Sequence, residues 1–234
     1  MLDKTTEIHR QMLIGGEWVD SANGETIAVE NPGNRTILGH VPRGDGEDVE
    51  RAVAVAATAF KSWSKVTPRD RGRMLLRIAE DIEARTEELA LVIAAETGNA
   101  LRTQARPEAA LAADIFRYFG GLASEIKGET LPLGEQLLSY SRREPIGVVG
   151  AIIPWNAPVA LASLKIAPAL CAGNTMVLKA AEDAPLGVLM IAEMCQTHLP
   201  SSVLNVLTGY GEDCGASLAA HPLVRKLSDR KSVV

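Results

Sequence analysis

A chain of 234 residues with 47% hydrophobic and 23% charged side chains can bury a real core, which excludes a disordered tail or a collagen-like fibre. Lys+Arg 24 against Asp+Glu 29 leaves a net charge of -5 with no basic block, so no nucleic-acid partner is expected. The polar stretch 1–11 and the lack of any run near ~18 apolar residues give no membrane span and point to a cytoplasmic setting.

In chain order, Leu13 to Val19 followed by Asn23-Gly24 and 26–29 reads as a hairpin with an Asn-Gly turn, closed off by Asn31-Pro32-Gly33. Three amphipathic helices follow. Val49, Ala52, Val53, Ala56, Phe60 and Trp63 keep helical spacing behind Asp45 as a cap. Thr67, Pro68 and Asp70 open the second, which carries Leu75, Ile78, Ala79 and Ile82 on one face. The third runs over about 87–98 and ends at Gly98, and a fourth spans about 107–119. Residues 136–143 partly alternate, as in a strand exposed on one side.

After Pro145 apolar strand-like runs alternate with helical stretches, a βαβ pattern. Strands are expected at 148–153, 175–179, 203–207 and from about 224, with helices over 158–170, 185–198 and 212–220 between them. Strands apolar on both faces suit a parallel sheet covered by helices on either side, so the expected class is α/β with a Rossmann-like sheet.

Ligands bind such sheets at the carboxyl ends of the strands. There the run Ile153-Pro154-Trp155-Asn156-Ala157-Pro158 ends a strand and opens a helix. Asn156 can cap that helix or donate its amide to a developing oxyanion, and spacing alone favours the cap. Lys179 and Glu182 close the next strand. They form either a solvated pair or a site in which the carboxylate accepts a ribose diol, favouring NAD over NADP. Gly209, Gly211 and Gly215 make a G-x-G-x-x-x-G, one residue longer than the dinucleotide fingerprint, with Asp229 at the fingerprint's ~20-residue spacing. No metal site is expected, because His9, His40, His198 and His221 lack a second ligand at i+4. Cys171 and Cys195 read as core residues. Cys214 sits near a helix start, where packing is the favoured role, and no C-x-x-C pair exists.

The motifs Ile14-Gly15-Gly16-Glu17-Trp18, Asn31-Pro32, Glu96-Thr97-Gly98, 143–148, Pro154-Trp155-Asn156 and 221–227 together resemble the N-terminal part of the NAD(P)-dependent aldehyde dehydrogenase superfamily. The resemblance implies that Asn156 is the oxyanion-stabilising amide and that Ile153, Pro154 and Trp155 lie against the cofactor. It further implies that Lys179 and Glu182 hold the adenosine ribose of NAD and that Gly211 and Gly215 lie beside the adenine. It makes 1–228 an incomplete cofactor-binding domain, with 131–145 part of an oligomerisation element, and so implies a homo-oligomer acting on a small-molecule aldehyde. The family's general-base Glu and nucleophilic Cys have no match here, and 229–234 is unlike the family. The expectation is a truncated, inactive piece of an oxidoreductase; the alternative is a noncatalytic nucleotide-binding or partner-binding module.

Overall fold

Alternation along the strands builds the sheet. In the computed structural model, which describes residues 10–229, β7 (Val148–Ile152), β8 (Thr175–Lys179) and β9 (Leu204–Leu207) pair in parallel. Successive side chains face opposite sides. Val148, Val177 and Leu207 pack with α1 (Gly46–Trp63) and α7 (Ala216–Ala220) on one face, whereas Val149, Met176, Leu178 and Val206 meet the larger core beneath the remaining helices.

The sheet continues at both ends. β10 (Val224–Asp229) runs parallel to β7, and β1 (Met12–Ile14) adds antiparallel to β9 with β2 (Glu17–Val19) outside it, giving the order β10-β7-β8-β9-β1-β2. The sheet is therefore mixed rather than wholly parallel. Moving from β7 to β8 to β9 uses α5 (Pro158–Cys171) and α6 (Leu186–His198), and α7 then carries the chain back across to β10.

The expected Asn-Gly hairpin is not formed. β1 instead folds on β2 through Gly15 and Gly16, whose φ of 70° and 89° supply the left-handed backbone that a tight turn needs. Gly24 turns the chain into a separate hairpin, β3 (Thr26–Glu30) on β4 (Ile37–Pro42), and Asn31-Pro32-Gly33, expected to close off a hairpin, lies instead in the turn that joins these two strands. The four N-terminal helices follow their sequence signals closely. Asp45 forms a capping box with Asp48 at α1; Thr67 caps α2 (Pro68–Ala84); Gly98, at φ 75°, terminates α3 (Thr86–Thr97). A π-helical turn, Leu101–Ala105, leads into α4 (Arg106–Leu122).

Two expectations shrink. The stretch 136–143 is a strand only at β6 (Ser139–Tyr140), paired with β5 (Thr130–Leu131), because Leu137 and Leu138 both face solvent and find no core to alternate against. The helix over 212–220 is split into a π-helical turn, Gly211–Gly215, and the short α7. Residues 230–234 and His9 lie outside the described residues.

Candidate functional site

The strand order reverses between β7 and β10: successive strands leave β7 on one side, and the last returns on the other. In open α/β sheets this switch point, at the carboxyl ends of the strands, leaves a crevice between loops that diverge in opposite directions. The singled-out residues gather along this edge. Ile153 is buried and donates its N–H to the Lys179 carbonyl at 3.0 Å, so the turn after β7 is tied to the end of β8. Pro154 and Trp155 follow, with Trp155 57% exposed beside a cleft of about 270 Å³ that Glu30, Pro32, Glu96, Thr97 and Asp183 also line.

Asn156 is exposed and does not cap α5. The N-cap position falls on Ala157, and the free N–H groups of Val159 and Ala160 are taken by Glu108 Oε1 at 2.9 and 3.2 Å. Asn99 Nδ2 donates to the Asn156 carbonyl at 3.3 Å, while the Asn156 amide makes no hydrogen bond among the described residues. With its backbone held and its N–H groups free, the side chain is available to a ligand. The capping alternative left open by spacing is thereby removed.

Lys179 is 3% exposed, and its Nζ meets Glu182 Oε2 at 2.6 Å. A buried ammonium needs such a partner. The pair fixes the carboxylate of Glu182, itself partly exposed, at the end of β8. Gly215 sits against Ile152 Cδ1, so the π-helical turn reaches the same edge, whereas nothing lies within 4 Å of a Cβ built on Gly211. Gly209, at φ 151°, could carry no side chain: a Cβ there would lie 2.5 Å from the Gly44 carbonyl. Arg43 braces the turn by pairing with Asp213 at 3.0 Å and stacking over Tyr210.

Asp229 does not complete a dinucleotide fingerprint. That geometry needs its acid on the strand next to the glycine loop, but β10 is separated from β9 by β7 and β8. The thiols are equally unsuited to chemistry. Cys171, Cys195 and Cys214 are buried, and burial pushes each thiol up, Cys214 to about 12 despite the nearby Lys179. Among the described residues no group of His, Cys, Asp and Glu could hold a metal ion, and no helix is long and apolar enough to cross a membrane.

Sequence reasoning gave Glu96 only as part of the Glu96-Thr97-Gly98 motif, with no role, and did not single out Glu108. Glu96 does for α6 what Glu108 does for α5, accepting Leu186 N–H at 2.7 Å and Gly187 N–H at 2.9 Å. Each carboxylate lies 51 to 91 residues from the helix it caps, so no local spacing reveals it. Burial raises both carboxyls, Glu96 to about 8.

With this geometry established, comparison with known proteins is direct. The profile described as "Aldehyde dehydrogenase family" matches residues 18–229. Phenylacetaldehyde dehydrogenase of Pseudomonas fluorescens is 43% identical over 227 residues, covering 93% of this chain and 45% of that protein. Aldehyde dehydrogenase family 2 member B4, mitochondrial, of Arabidopsis thaliana is 41% identical over 223 residues, covering 94% of this chain and 41% of that protein. Among solved structures, PnpE of Pseudomonas sp. WBC-3 in complex with nicotinamide adenine dinucleotide superposes with a TM-score of 0.92 at 40% identity, covering 95% of this chain and 46% of that one. The chain thus spans less than half the length of the relatives it matches. With the profile running from Trp18 to the last described residue of β10, the chain belongs to the aldehyde dehydrogenase family.

Proposed function

We propose that this chain is the cofactor-binding portion of an enzyme that oxidises an aldehyde to a carboxylic acid with NAD. The observation that carries the reading is the division of labour at α5, where Glu108 caps the helix and leaves the Asn156 amide free at the strand-order reversal. That amide would donate to the aldehyde oxygen as nucleophilic attack places negative charge on it, which favours the transition state over the neutral carbonyl. When bound, NAD supplies the hydride acceptor.

The residues present fit that cofactor. Glu182, held by Lys179, offers carboxylate oxygens to the two ribose hydroxyls and would repel a 2′-phosphate, which favours NAD over NADP. Ile153, Pro154 and Trp155 give a backbone wall, and the π-helical turn reaches it with Gly215 beside Ile152. The β5–β6 hairpin exposes Leu137, Leu138 and Tyr140, a surface suited to a second copy in a homo-oligomer.

Saturation-transfer NMR of the chain with NAD, and separately with NADP, tests the reading. Transfer is expected to be strongest at the adenosine ribose protons of NAD. Glu182→Gln is expected to weaken NAD by about tenfold and to narrow the gap to NADP. An unchanged preference between the two cofactors would remove Glu182 from the ribose and with it the assignment.

A further inference from the structure

A second site lies at the opposite edge of the sheet. Arg71 of α2 is 7% exposed, yet among the described residues it forms no ion pair. Its Nε donates to the Cys171 carbonyl at 3.0 Å and its Nη1 to the Val66 carbonyl. Among the described residues Nη2 makes no hydrogen bond. Arg71 lines a cleft of about 580 Å³ together with Lys65, Arg142, Arg143 and the hydroxyl residues Ser64 and Thr67. Glu144, the one acid in the lining, is bonded to Arg142. Gly173, at φ 86°, keeps the guanidinium in place; a Cβ there would come within 3.2 Å of Arg71 Cζ and Nη1.

Carbonyl dipoles satisfy two donors of Arg71 but do not neutralise its charge, and of the three further cations in the lining only Arg142 is paired, with Glu144, while Lys65 and Arg143 form no ion pair among the described residues. Such an arrangement is costly without an anion. An arginine fork with surrounding positive charge suits an oxyanion of more than one charge. The cleft lies between Ala172, at the end of α5, and Pro145, ahead of β7, so it adjoins the amino ends of the strands, away from Asn156 and Glu182.

We propose that this cleft binds a phosphate group, free or as the phosphate of a small ester, on Arg71 Nη2 with Lys65, Arg142 and Arg143 around it. The bound group bridges α2 to the segment that returns from the β5–β6 hairpin. This site is independent of the NAD reading.

Calorimetric titration of the chain with inorganic phosphate at constant ionic strength tests it, with hydrogen exchange followed over 127–146. Saturable binding with a Kd of about 1 mM or tighter is expected, together with slowed exchange in that segment. Arg143→Gln and Lys65→Gln, which leave both Arg71 carbonyl bonds intact, are each expected to weaken binding by about three- to tenfold, and Arg71→Gln to abolish it. Should Arg71→Gln fail to fold, the other two variants decide. Absence of saturation, affinity unchanged by Arg143→Gln and Lys65→Gln, or acetate binding as tightly as phosphate would each overturn the proposal, leaving Arg71 as a cap for the end of α5.

Discussion

Glu108 on α4 and Val159 in the first turn of α5 are joined by a 2.9 Å hydrogen bond across 51 residues of sequence. One carboxylate oxygen thereby serves two helix N–H groups and sets where α5 begins, four residues beyond Pro154. Replacing it tests the cap directly. Glu108→Ala is expected to lower stability by about 1–3 kcal/mol in urea denaturation, and Glu108→Gln, which keeps an acceptor oxygen, by less. Equal losses would mean that packing, not the acceptor, is what Glu108 provides.

Asn156→Ala should be nearly silent in the same measurement. A capping asparagine would cost ~1 kcal/mol on removal, whereas a side chain without partners should cost less than about 0.5 kcal/mol. A loss near the first figure would mean that the Asn156 side chain is not free of stabilising contacts and would count against its availability to a ligand.

Stability should also depend on pH through Glu96. Burial lifts its carboxyl to about 8, against the bonds from Gly187 and Leu186 and with a further push from Glu108. Between the ordinary carboxylate value of about 4.3 and that point the folded chain holds a proton that the unfolded chain has released. Stability should therefore fall as pH rises through this window. Glu96→Gln cannot titrate, so its urea midpoint should fall less between about pH 5.5 and about pH 8.5, the residual slope coming from Glu108. Parallel slopes for the two proteins would contradict the assignment.

The thiols give a chemical readout. Cys171, Cys195 and Cys214 are buried with raised pKa values, so none is expected to react promptly with a thiol reagent until the chain is unfolded. The purified chain is likewise expected to form no NADH from an aldehyde. NADH formation that disappears on replacing one of these cysteines with Ser would identify a nucleophile that this structure does not offer.

What the sequence disclosed follows from how locally each signal is encoded. Thr67-Pro68 and Gly98 mark helix ends by their own backbone preferences, and both act as expected. The strand 175–179 is buried throughout, with Met176, Val177 and Leu178 at its centre, and lies where the apolar run places it. Asn23-Gly24 misled because turn chemistry fixes a bend but not which strands flank it: Asn23 Nδ2 bonds Arg43 and Asp45, turning the chain between sheets. β4 was missed because Gly39 and Pro42 break its pattern; Gly39 is small because Arg10 packs where a Cβ would stand. At the candidate site Asn156 and Glu182 stand out because each follows a buried strand, and Lys179 because it ends one. Glu108, which frees Asn156 from capping, carries no such mark, since its partners are remote.

The sheet joins the two ends of the described chain. Leu13 of β1 pairs with Val206 of β9, and Gly15 N–H is held by the side chain of Asn205. A contact this remote in sequence cannot form during synthesis until β9 has left the ribosome, long after β1 has done so. Until then the Met12–Ile14 segment, wholly apolar, has β2 on one side but lacks β9 on the other. Closure of this edge is thus a late event in the life of the nascent chain, and its rate should be set by loop closure over almost the whole polypeptide rather than by helix formation.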